Sequence, residues 1–185
     1  MNVVRVLLFA LLTGALPTLA AELPGDSIYQ LPIKLTDEKG KNFQFAERRG
    51  KPQLISMFYT SCPYVCPLII DTLKKTQRAL APAKVAVLLV SFDPERDTPQ
   101  RLQQVFVERK LDAASWTLAR TDANDVRQLA AVLDVQYRAL ANGDINHSAA
   151  LVLLDSDGRI VARTDKIGEV DADFVAAVRS TLHTE

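Results

Sequence analysis

Side chains able to do redox or metal chemistry are scarce in this chain, and two of them stand close together. Its 185 residues include two cysteines and two histidines. The cysteines, Cys62 and Cys66, are four apart in the segment TSCPYVCP. Two such thiols can close a disulfide, exchange one with a client, or converge as thiolates on one metal ion. On a regular helix, neighbours four apart have Cβ atoms about 5–6 Å apart, whereas a relaxed disulfide wants about 3.5–4.5 Å. A regular turn therefore favours a metal, and a kinked turn admits both. A bridge across so short a loop restricts the unfolded chain little, so a purely structural disulfide would contribute modestly. Two buried, inert cysteines are the bland alternative.

Of the histidines, His183 lies three residues from the end of the sequence and reads as solvated. His147 stands in the polar stretch ANGDINHS, just before the apolar run SAALVLLD. A lone histidine in a loop is more often structural or solvated than a ligand. Joined to the cysteines, however, it would complete a set of two soft thiolates and one imidazole. That set suits copper best, with zinc as competitor. A structural zinc would want a fourth protein ligand, and no third cysteine exists to supply one.

Asp93 and Asp97 lie in SFDPERDTP, after the next apolar run. Asp93 reads either as a turn former or as a carboxylate near the thiols, where it could tune them or receive a partner; Asp97 reads as a neighbour of a helix cap. Tyr64 and Val65, between the cysteines, are placed to touch a partner. Trp116 and the phenylalanines read as core.

These residues need elements to position them. The run PQLISMFY, bounded by Gly50-Lys51-Pro52, reads as a buried strand. After the cysteines, Val65, Ile69, Leu73, Thr76 and Leu80 repeat at helical spacing. The thiols thus sit at a strand-to-helix junction, where open α/β sheets present their ligand sites. Pro67, which lacks an amide hydrogen, fits near that helix start. Cys66 should then feel the positive end of the helix dipole, which lowers a thiol pKa. KVAVLLVSF reads as a second buried strand. Thr98-Pro99 opens a helix, with Thr as cap and Pro first. SWTLA is a short strand, and Asp122 caps a helix over DANDVRQLAAVL. VQYRAL and SAALVLLD read as strands joined by the polar loop Ala141–His147. DSDG turns into RIVAR, and a last helix is capped near Asp171. Earlier, IYQLPIKLTDEKGKNFQF reads as two short strands around a turn at Asp37–Gly40. The pattern predicts an α/β protein of thioredoxin-like fold: a central mixed β-sheet flanked by helices, with an N-terminal β-hairpin extension.

Composition sets the outer limits. The length suits one domain. Basic and acidic side chains number 22 each, which gives no charge excess to hold nucleic acid. Residues 1–20 carry a short basic start, an apolar stretch and a small-residue end at Thr18 and Ala20, the layout of a cleaved secretory signal. The alternative is a membrane anchor, but only 16 residues separate Arg5 from Glu22, and a spanning helix wants about 20. Export would place the thiols where disulfides can persist. The expected organisation is a signal over 1–20, an extended lead-in over 21–30 and one domain over 31–185.

Three segments in order, TSCPYVCP, SFDPERDTP and HSAALVLLDSDGRI, resemble the Sco/SenC family. The family motif Cys-Pro-x-x-Cys-Pro matches Cys62-Pro63-Tyr64-Val65-Cys66-Pro67. Its copper-binding histidine matches His147, followed by Ser148. Its Asp-Pro-x-x-Asp-Thr-Pro element matches Asp93-Pro94 and Asp97-Thr98-Pro99. The resemblance runs from about Leu31 to the C-terminus. Two departures stand out: many members keep an N-terminal membrane anchor, and some carry a charged or bulky residue where this chain has Ser61. The resemblance implies a periplasmic thioredoxin-fold protein that holds copper, Cu+ or Cu2+, through Cys62, Cys66 and His147. It implies as partners a copper donor protein and the copper-bearing subunit of cytochrome c oxidase, or another exported cuproprotein. A monomer is expected. Two rival functions use the same residues. One is a thiol–disulfide oxidoreductase, with Cys62 attacking and Cys66 resolving; the other is a redox sensor. Whether the chain is an enzyme stays open. The Asn142-Gly143-Asp144 loop is expected to be mobile and to order when copper binds.

Overall fold

The computed structural model describes residues 22–141 and 143–184. The segment read as an export signal lies outside the described residues, as does Asn142. Among the described residues, no helix is long and apolar enough to cross a membrane.

The chain runs β1 (Lys34–Asp37), β2 (Asn42–Gln44), β3 (Gln53–Phe58), α1 (Val65–Leu80), β4 (Ala86–Ser91), α2 (Pro99–Glu108) and β5 (Trp116–Arg120). It continues through α3 (Ala123–Val132), β6 (Tyr137–Ala139), β7 (Ile145–His147), β8 (Leu151–Leu154), β9 (Ile160–Thr164) and α4 (Ala172–His183). The main sheet has the order β2-β1-β5-β4-β3-β8-β9. β3, β4 and β5 are parallel neighbours, linked by α1 and α2. Both crossovers step in one direction, so right-handed connection puts both helices on one face. β8 joins β3 antiparallel, and β9 extends that edge. The sheet is therefore mixed, and the fold is the thioredoxin-like one expected.

The apolar runs explain the centre. Every residue of β3 and β8 is buried, as is β4 from Val87 to Ser91. Strands covered on both faces carry no alternation, which is why they read as continuous hydrophobic stretches. Caps fix the helix starts. Thr98 Oγ1 accepts from Arg101 N–H with Pro99 at the first helical position, and Asp122 accepts from the N–H groups of Asn124 and Asp125.

The expected N-terminal hairpin is present as β1–β2, and it extends the main sheet, because β1 also pairs antiparallel with β5. Two features depart from the sequence reading. Ile28–Gln30 is a turn of 3-10 helix capped by Ser27 instead of strand. It drives Tyr29 into the core against Gly158, where the Tyr29 ring leaves no room for a Cβ and the φ of +81° independently favours glycine. Finally, the stretch between β6 and β8 is not all loop, because it contains β7. β6 pairs with β7 in a separate two-stranded hairpin, with Tyr137 opposite His147. His147 is therefore a strand residue, fixed by a cross-strand ladder, and not part of the loop; the turn is shorter, around Gly143.

Candidate metal centre

The site forms where β3 and β4 end side by side. Phe58 is in register with Ser91, and Phe92 N–H donates to Phe58 O at 2.7 Å. The chain after β3 carries the cysteines, and the chain after β4 carries Asp93 and Asp97. Cys62 lies in the turn before α1, and Cys66 lies in the first turn of α1. Pro67 falls at the third helical position, where no amide is needed. The cysteines thus do not share a regular helix.

Both cysteines are free thiols and largely buried, Cys62 at 9% exposure and Cys66 at 3%. Cys66 N–H donates to Cys62 Sγ at 3.3 Å. Burial raises the Cys62 pKa, but hydrogen bonds from Cys66, Tyr64 and Val65 outweigh it and leave this thiol below its ordinary value. Burial pushes the Cys66 thiol well up, and the neighbouring Cys62 and Asp97 add to the effect. The expectation for Cys66 is therefore reversed. The helix start does favour a thiolate, but its open amides point back at Cys62, and Cys66 turns its sulfur into the core. There Cys66 Sγ accepts from Tyr59 N–H at 3.4 Å.

His147 completes the group. Its Nε2 lies 3.8 Å from Cys66 Sγ. The ligand atoms of Cys62, Cys66 and His147 all fall within 4.8 Å of one another. Nδ1 lies 2.9 Å from Ser148 O. A carbonyl can only accept, so Nδ1 carries the proton and the lone pair of Nε2 faces the sulfurs. Burial lowers the His147 pKa against the opposing pull of Ser148 O, which keeps the ring neutral. Its ring packs on Phe92 at 4.9 Å and edge-on to Tyr59 at 5.8 Å. Tyr59 Oη also donates to Ile145 O at 3.3 Å and accepts from Ile145 N–H at 3.4 Å, which ties β7 to the strand that leads to the cysteines.

The donor set fits a metal ion. Two ligand atoms about 2.1–2.3 Å from one ion and 120° apart stand about 3.8 Å from each other, and His147 Nε2 and Cys66 Sγ are at that separation. Two sulfurs and a neutral imidazole are soft ligands. A small cavity of about 60 Å³ lies beside the thiols on the side of α1 and α2, lined by Cys62, Cys66, Ile70 and Val105 among others, with His147 outside it.

The two aspartates make different contacts, and the one read only as a cap neighbour is the one bonded to the cysteine turn. Asp97 is fully buried and touches the cysteine turn: its carboxylate accepts from Thr60 N–H at 3.0 Å, from the Thr60 hydroxyl and from the Ser91 hydroxyl. Asp93 pairs instead with Arg96, which donates onward to Gly143 O at 2.6 Å. A buried aspartate is hard to tell from a cap neighbour by sequence, since both lie just before Thr-Pro. The signal was Thr60, a hydroxyl directly before the cysteine turn. Tyr64, at 81% exposure, is open to a partner, and Trp116 is core as read. His183 lies at the end of α4.

Comparison with known proteins agrees with this geometry. The family model described as SCO1/SenC matches residues 22–183. An SCO2-like protein of Rickettsia prowazekii is 28% identical over 137 residues, covering 69% of this chain and 65% of its own. The chain thus spans about 65% of the length of that curated relative. The structure of Bradyrhizobium japonicum ScoI with copper bound is 28% identical, with a TM-score of 0.68 over 82% of this chain and 98% of that one. An SCO1/SenC family lipoprotein of Bacillus anthracis, 20% identical, shares the fold at a TM-score of 0.74, covering 82% of this chain and 96% of its own. The chain belongs to the SCO1/SenC family.

Proposed function

We propose that this chain is an exported copper-binding assembly factor. It takes up one copper ion through Cys62 Sγ, Cys66 Sγ and His147 Nε2 and hands it to a client, the binuclear copper centre of cytochrome c oxidase or another exported cuproprotein. The observation that carries the reading is the convergence of these three ligand atoms within 4.8 Å. The copper-bound relative of Bradyrhizobium japonicum supports the choice of metal, and the apolar start of the sequence supports export.

Copper here is cargo. Only the dithiol can take it, because a disulfide offers no thiolate, so loading requires prior reduction and releases the thiol protons. Cys62 is set up to lose its proton first. Ser148 O holds the imidazole in the tautomer that presents Nε2. The rings of Phe92 and Tyr59 pack against the imidazole and hold its orientation. The test is copper titration of the reduced protein, read by thiolate-to-copper charge-transfer absorption. One equivalent is expected in the wild type. His147→Ala should lower the affinity by orders of magnitude, and unchanged affinity would sink the three-ligand reading.

One observation favours a second activity at the same residues. Cys62 is the more exposed and more acidic thiol, and Cys66 the buried one. That asymmetry suits thiol–disulfide exchange. Cys62 thiolate would attack a client disulfide and release one client thiolate. Cys66 would then displace the other, leaving the pair oxidised and the client reduced, and an external dithiol would reset it. Reduction of a model disulfide that survives His147→Ala would support this activity.

A further inference from the structure

The segment after β4 touches both halves of the site through adjacent residues. Asp97 holds the cysteine turn through Thr60. Arg96 points the other way, and its guanidinium binds the Asp93 carboxylate and Gly143 O at the tip of the β6–β7 hairpin. The base of this strap is braced. Asp97 N–H donates to Asp93 O at 2.9 Å, Asp93 N–H donates to Ser91 Oγ at 2.9 Å, and Arg120 Nη2 donates to Pro94 O. The hairpin tip is closed by Leu140 N–H to Asp144 O at 2.8 Å and Gly143 N–H to Leu140 O at 3.0 Å. Gly143 has a φ of +85°, and a Cβ there would meet Arg96 Nη1 at 3.5 Å, so the guanidinium lies directly against the turn.

We propose that Arg96 is a positioning residue that holds the β6–β7 hairpin, and with it His147, over the cysteines before any metal arrives. This rests on the three-ligand reading of the site. Phe92 packs on His147 at the base of the hairpin, and Tyr59 fixes it at Ile145, the last β7 residue paired with β6 before the turn. Arg96 holds the tip. An arginine suits this position because its planar fork serves two acceptors at once, a carboxylate on one side and a carbonyl on the other. A lysine has its three donors on one atom and lacks the fixed fork that spans both acceptors. If the hairpin were loose, only a fraction of molecules would present His147 correctly, and the apparent affinity for copper would fall by that fraction. The side chain of Arg96 is 51% exposed, so the effect is that of one partly exposed ion pair, about fivefold.

The test uses the full chain, reduced, in Arg96→Met and Arg96→Lys forms. Hydrogen exchange of the metal-free protein should be about fivefold faster across residues 137–147 in Arg96→Met, with β3 and β4 unchanged and Arg96→Lys intermediate. Unchanged exchange in the hairpin overturns the proposal whatever the metal does. Copper(I) affinity, measured by competition with a chromophoric chelator, should fall about fivefold in Arg96→Met, but not when the substitution is added to His147→Ala. An equal loss in both backgrounds also overturns the proposal, because Arg96 would then act on the cysteines directly. If the hairpin loosens while His147→Ala alone leaves copper affinity intact, the positioning role stands and the three-ligand reading fails.

Discussion

The backbone N–H of Cys66 points at the sulfur of Cys62, 3.3 Å away. One cysteine thereby stabilises the other's thiolate while its own sulfur lies deeper, under Tyr59 N–H. The two thiols should differ sharply in reactivity. With limiting iodoacetamide at neutral pH and no metal, Cys62 should alkylate at least about tenfold faster than Cys66. Peptide mass spectrometry would read the ratio, and equal labelling would contradict the geometry.

The imidazole should be a single tautomer. Ser148 O accepts from Nδ1 of His147, and burial lowers this ring's pKa. In nitrogen NMR of the metal-free protein at pH 7.5 or so, His147 should show a protonated Nδ1 and a bare Nε2. A protonated Nε2 would mean the lone pair faces Ser148, and the site could not receive a metal as described.

Much of this was legible beforehand, for identifiable reasons. The strands leading to Cys62 and Asp93 are covered on both faces, so their apolar runs announce them. Thr98, Asp122 and Asp171 cap the helices they were expected to cap. What stayed hidden was non-local. Cys66 and Cys62 divide acidity according to where amides point, and spacing alone does not give that direction. His147 reads as a loop residue because its strand is three residues long, too short for alternation to register, and only its partner Tyr137 makes it a strand. Asp97 looked like a cap neighbour because Thr60, its main partner, is 37 positions away.

Asp97 gives a stability test at the site. Its buried carboxylate accepts from three donors on two segments. Asp97→Asn keeps the volume but turns an NH2 group toward donors that need an acceptor. The expected cost is about 1–3 kcal/mol, read as a lower urea midpoint with unchanged slope. The cysteine turn should loosen with it, so alkylation of Cys66 should accelerate. A variant as stable as the wild type would mean that Thr60 and Ser91 find other acceptors.

Tyr29 predicts an alkaline effect far from the thiols. Burial raises its pKa to about 12, against the lowering effects of its hydrogen bond with Gln53 and of the nearby Arg48. In the unfolded chain the phenol titrates near 10. The folded state therefore holds the proton more tightly, and this contribution is fully present below pH 10 and lost as pH rises toward 12. Two units correspond to roughly 2–3 kcal/mol. Tyr29→Phe should be less stable than the wild type at pH 8, because Gln53 Nε2 loses the oxygen it donates to at 2.5 Å. The gap should then narrow as pH rises through the window, since phenylalanine has no proton to lose. Urea midpoints of both proteins between pH 8 and 12 would measure it, and a constant gap would show that Tyr29 ionises as freely in the fold as outside it.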